Sequence, residues 1–199
     1  MRKFQIMTAT IALALVTAVW GGDAQKGLDA YNSMDYETAL GVWQPLAESG
    51  DSGAQYGLGM MYGNGFGVAM EDALALKWYG LAADQGHAGA QCNLAVMYQN
   101  GWGVAPNEEE AVRYYMLAAE QGVPAAMTAL GRHFAMDFSD AYDPVQAYKW
   151  FSLAHLLQDM DAGVKRETLA ATMTVEQVAT GNGLVEVWST EHNELLANQ

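Results

Sequence analysis

Two segments of this chain, MYGNGFGV from Met61 to Val68 and MYQNGWGV from Met97 to Val104, have the glycine density that can cradle a phosphate through backbone N–H groups. A phosphate loop also calls for a following Lys, Ser or Thr, and these segments continue as Ala69-Met70 and Ala105-Pro106. The segments also return at an interval of 36 residues, as turns of a repeated scaffold do. The glycines are therefore assigned to turns and no cofactor is expected. The four histidines, His87, His133, His155 and His192, show no metal-ligating spacing with a carboxylate partner. No serine lies in a Gly-x-Ser-x-Gly elbow, and Cys92 would be a nucleophile only with a histidine base close in space. The acidic runs Glu71-Asp72 and Glu108-Glu109-Glu110 suit helix starts better than a catalytic dyad. No catalytic residue and no metal ligand is assigned, and the chain is not expected to be an enzyme.

The elements that would position any site follow from composition and period. The chain of 199 residues is 51% hydrophobic and 16% charged, the balance of a folded domain. Its 9 basic residues against 23 acidic ones make an acidic surface that repels phosphate backbones and anionic headgroups, which sets nucleic acid and membrane surfaces aside as partners. The lone Cys92 permits no intramolecular disulfide. At the N-terminus, Arg2 and Lys3 precede an uncharged, mostly apolar run from Phe4 to Trp20 and then Gly22-Asp23-Ala24, the layout of a secretory signal peptide. Residues 1–24 are expected to be a leader cut after Ala24, which makes the chain exported, periplasmic or secreted. An uncleaved anchor is the alternative, but Gln5, Thr8, Thr10 and Thr17 dilute the run, and no membrane insertion is expected after cleavage.

Three blocks superpose at the interval of 36, beginning at Gly53, Gly89 and Ala125. Ala54, Ala90 and Ala126 correspond, as do Leu58, Leu94 and Leu130; Tyr62, Tyr98 and Phe134; and Trp78, Tyr114 and Trp150. The apolar positions recur at i, i+4 and i+8, a helix face. After each glycine loop a second helical run opens on acidic residues and closes at Gly86 or Gly122, where glycine can take the left-handed conformation that ends a helix. Gly63, Gly65, Gly67, Gly101 and Gly103 read as turn makers, Val68 and Val104 as apolar pins beneath the turns, and Pro106 as a first-turn residue.

The pattern Ala-x-x-x-Leu-Gly-x-x-Tyr-x-x-Gly-x-Gly-Val followed by Ala-x-x-Trp-Tyr-x-x-Ala-Ala-x-x-Gly resembles the Sel1-like repeat, a relative of the tetratricopeptide repeat. It runs from Ala54 to Gly86 and from Ala90 to Gly122, and in weaker form from Ala126 to His155. The resemblance implies an all-α fold, an α-solenoid of antiparallel helix pairs in a right-handed superhelix. The pairs are expected at 25–50, 51–86, 87–122 and 123–158, with capping helices over 159–199, the last of them interrupted near Gly181-Asn182-Gly183.

The resemblance also implies a protein-protein interaction scaffold, adaptor or regulator that holds a partner protein or peptide on its concave face. If Ala54, Leu58 and Tyr62 face the core, a 100° step puts Tyr56, Met60 and Gly63 on the opposite face. The equivalent positions give a partner-binding stripe of Tyr56, Met60, Cys92, Val96, Gln99, Thr128 and Arg132, with Arg132 placed to pair a carboxylate. The alternatives are packing of Tyr56 and Met60 against the first unit, an envelope-acting hydrolase, and a purely structural subunit of an envelope assembly. The sequence leaves the oligomeric state open.

Overall fold

The computed structural model describes residues 22–136 and 140–197, and the expected leader lies outside them except for its last three residues. Among the described residues the chain is all-α: α1 (Gly22–Asn32), α2 (Tyr36–Glu48), α3 (Ser52–Asn64), α4 (Asp72–Asp84), α5 (Ala88–Asn100), α6 (Glu108–Glu120), α7 (Pro124–Phe134), α8 (Pro144–Leu156), α9 (Met160–Ala170), α10 (Val175–Glu191) and α11 (Asn193–Ala197). Consecutive helices pack as pairs, so the chain is an α-solenoid. The first helices of successive pairs begin on a strict cadence: the N-cap residues of α3, α5, α7 and α9 are Asp51, His87, Val123 and Asp159. The segment from 159 thus opens in register with the repeat, as a further helix pair. Its second helix, α10, passes without interruption through Gly181-Asn182-Gly183, contrary to the break expected there. Gly181 is needed for a different reason: a Cβ on it would lie 2.6 Å from the Tyr148 ring.

The long turn inside each pair is made by two glycines. Gly65 and Gly101 cap α3 and α5 in the left-handed conformation, and Gly67 and Gly103 follow with φ of 72° and 71°. The second glycine of each turn also touches the preceding pair. A Cβ on Gly67 would meet that of Tyr36 at 2.5 Å, and one on Gly103 would meet the Asp72 carbonyl at 2.7 Å. Gly63, expected in the turn, is instead buried in the last turn of α3. Pro106 precedes α6 and lies outside it, and Asn107 caps that helix by accepting from the Glu110 N–H.

The helices group into two compact units that divide inside α6, between Ala111 and Val112. In the first, the fully buried Trp43 indole fills the space that Gly27 of α1 and Gly57 of α3 leave open. Its N–H donates to the Ala24 carbonyl at 3.0 Å. Successive pairs are joined by buried amides: Gln55 Nε2 donates to the Ala47 carbonyl at 3.1 Å and Gln91 Nε2 to the Ala83 carbonyl at 3.3 Å. Each adds a second donor to a C-terminal carbonyl that already accepts the N–H of the glycine ending the pair, Gly50 for Ala47 and Gly86 for Ala83.

In the second unit, Gly131 lets α7 close on the Phe151 ring of α8, as Gly59 lets α3 close on Tyr79 in the first. The end of α10 is fastened to the end of α6 by Glu120, which accepts from Trp188 Nε1 at 2.9 Å and lies 3.3 Å from His192 Nε2. The Trp188 and His192 rings stack at 4.1 Å.

Candidate protein-binding cleft

A cleft of about 590 Å³ opens in the second unit where α7 and α9, the first helices of successive pairs, run beside each other over α8. Two contacts set its width. Thr128 of α7 donates its hydroxyl to Asp159 Oδ2 at 2.7 Å, while Asp159 Oδ1 caps α9 by accepting from the Ala162 N–H at 3.1 Å. Gly163 gives α9 its close approach to α8, since a Cβ there would lie 2.6 Å from the His155 ring.

Phe151, Val164 and Leu169 supply apolar lining, and Val164 remains 64% exposed. Arg132, Asp161 and Lys165 supply the charge. Lys165 bonds Asp161 directly, and Arg132 Nη2 stands 3.9 Å from the same carboxylate, outside hydrogen-bond range. The Lys165 bond, with the two positive charges, holds the Asp161 carboxyl below the usual carboxylate range. Two cations around one anion leave this lining net positive in a chain of net charge −14. Such a cleft can seat an apolar side chain and pair a carboxylate beside it.

The structure distributes the seven expected groove residues among different surroundings. Arg132 lines the cleft. Tyr56, Cys92 and Thr128 occupy one register position, and each is engaged in packing. Tyr56 stacks on His87 at 4.4 Å and tilts against Tyr79 at 5.8 Å. Cys92 is buried, and burial pushes its thiol up to about 12. Thr128 is buried with its hydroxyl on Asp159. Met60 is half-buried against the core of the first unit, Val96 is half-buried and Gln99 is exposed.

The stripe divides because a first helix has neighbours on two sides. One turn of it meets the following pair, and the next turn reaches the surface. Asp161, Val164 and Lys165 were beyond sequence reasoning that treated 159–199 as a cap. A signal was available in the spacing, since Asp159 stands 36 residues beyond Val123.

The Sel1 repeat model matches residues 52–87, 88–123 and 124–156, more than half of the chain. The chain belongs to the Sel1 repeat family. This Sel1 repeat protein is similar to the crystal structure of c5321, a protective antigen of uropathogenic Escherichia coli strains displaying an SLR fold, with 30% identity and a TM-score of 0.73 over 81% of this chain. It is also similar to a Sel1 repeat protein from Oxalobacter formigenes, with 30% identity and a TM-score of 0.69 over 73% of this chain. The match spans 35% of the first of these chains and 58% of the second. No curated protein matches this one significantly. The last matched repeat ends at 156, so α9 and α10 continue the stack beyond the family pattern.

Proposed function

We propose that this Sel1 repeat protein is an exported scaffold or regulator that holds a partner protein through a segment laid against its first helices. The Sel1 repeat fold is generally a scaffold for protein-protein interaction. The observation that carries the finer reading is the α7–α9 cleft, where exposed Val164 adjoins Arg132 and Lys165 in an otherwise acidic chain. The segment it suits pairs an aliphatic side chain with a carboxylate. Export is supported by the leader-like sequence from Arg2 to Ala24, and c5321, the neighbour described as a protective antigen, accords with it.

The test places a photo-crosslinking residue at Val164 in the native host and identifies the adduct by mass spectrometry. The adduct is expected to form with one protein and to be lost in an Arg132→Glu/Lys165→Glu variant of unchanged helicity. In solution the same variant is expected to bind the identified segment at least ~10-fold more weakly, a charge-dependent loss of ~1.4 kcal/mol or more. Undiminished crosslinking in the charge-reversed chain contradicts the assignment.

A further inference from the structure

The cleft between α7 and α9 is short of negative charge. Arg132 and Lys165 converge on the single carboxylate of Asp161, and Arg132 stays outside hydrogen-bond range of it. An incoming carboxylate with an aliphatic side chain beside it would balance the surplus and cover Val164. The same compact unit carries such a group on its own surface. On α10 the Val187 side chain is 56% exposed, with Glu186 next to it and Glu191 one helical turn on. These residues and Thr190 border a shallow hollow of about 330 Å³. Among the described residues neither glutamate has an ion-pair partner. Lys149 feels the Glu191 charge, but its ammonium lies over the Trp150 ring at 4.1 Å.

Other exposed aliphatic side chains fit less well. Val175 has Glu176 beside it, but that carboxyl already accepts hydrogen bonds at the start of α10. Leu117 has Glu120 one turn on, and Glu120 is engaged by Trp188 and His192. The α10 ridge joins an open valine to two uncommitted carboxylates. It cannot enter the cleft of its own chain, because Gly181 seats α10 on the Tyr148 ring and Trp188 ties it to the end of α6.

We propose that the occupant of the cleft is a second copy of this chain, which lays Val187 against Phe151 and Val164 and sets Glu186 and Glu191 against Arg132 and Lys165. The proposal rests on the cleft reading above. The contact is heterologous: a copy engaged through its ridge keeps its cleft open, so copies add head to tail. At ~0.15 M salt the screening length is ~8 Å, which damps repulsion between the remaining acidic surfaces and leaves the close charge pairs to decide.

The experiment measures the mass of the purified chain against concentration by sedimentation at ~0.15 M salt. The wild type is expected to grow beyond the monomer. Arg132→Glu/Lys165→Glu, which spoils the cleft, and Glu186→Gln/Val187→Gln, which spoils the ridge, are each expected to associate at least ~10-fold more weakly with unchanged helicity. Mixed in equal amounts, the two variants retain one intact cleft and one intact ridge between them and are expected to form a 1:1 dimer. A wild type that stays monomeric up to ~1 mM, or a mixture that fails to pair, overturns the proposal.

Photo-crosslinking from Val164 in the native host separates this proposal from the reading beneath it. The expected adduct is a bridge from position 164 to a peptide containing Val187 of another copy. An adduct with a different protein, lost on charge reversal of the cleft, overturns the second copy as occupant and leaves the cleft standing. A chain that forms no adduct at all overturns both.

Discussion

His87 shows how one residue can be a cap and a liability together. It stands where Asp51 and Asp159 stand in other repeats, and its Nδ1 accepts from the Ala90 N–H at 3.2 Å. That bond needs the neutral ring, and burial lowers the pKa from 6.5 to about 4, outweighing the opposing effects of a backbone hydrogen bond and of the Asp51 charge. Above about 6.5 the folded and unfolded chains are both neutral here, so His87 adds no pH dependence. As pH falls from 6.5 to about 4 the unfolded chain takes up the proton first, and about 3 kcal/mol of stability is lost across that window. His87→Asn keeps an N-cap acceptor and cannot titrate. Its urea midpoint relative to wild type is expected to rise between pH 7 and pH 4.5, and a gap that stays constant contradicts this account.

Glycines separate in the same way by what surrounds them. Gly103→Ala combines a φ of 71° with the Asp72 carbonyl 2.7 Å from the new carbon, and is expected to cost at least ~1–2 kcal/mol. Gly183→Ala, inside α10 with nothing within 4 Å, is expected to gain ~0.5–1 kcal/mol. Thermal midpoints moving in opposite directions would check both.

The helix pairs were legible in the sequence because the repeat is a pattern of apolar positions and terminal glycines. Ala54, Leu58, Ala82 and Ala118 are fully buried as their spacing implied, and Gly86 and Gly122 take the positive φ expected at helix ends. Much of the cleft was hidden, because α9 repeats the cadence of the N-caps without repeating the family's apolar signature. Gly181 also misled: a glycine within a helix reads as a breaker, and only the Tyr148 ring lying against it shows why it is there. The stripe was over-read for a related reason, since a helical wheel separates core from surface and cannot show the next helix pair.

Asp159 tests the join between α7 and α9. Asp159→Ala removes both the α9 cap and the acceptor of the buried Thr128 hydroxyl, and is expected to cost ~2 kcal/mol in denaturant unfolding. Adding Thr128→Val should recover part of this, because the stranded hydroxyl is then gone. Strictly additive losses in the double variant would show that the two residues do not cooperate.

For the molecule as a whole, the uneven placement of charge matters more than its total. Only 9 basic residues serve the whole chain, and Arg132, Lys165 and Arg166 all lie on α7 and α9. A partner recognised through a carboxylate at this cleft should bind less tightly as salt rises, with most of the loss in the association rate. Association rates measured between ~50 and ~500 mM salt should fall for the wild type and rise for Arg132→Glu/Lys165→Glu, whose added carboxylates repel the partner until salt screens them. A salt-independent wild type would place recognition on the apolar wall alone.

The regular spacing of Asp51, His87, Val123 and Asp159 makes the length of this protein adjustable. A duplicate of residues 52–87, spliced in after His87, would meet on either side the kind of surface it was cut from. The lengthened chain would need no new interface, only another copy of an old one.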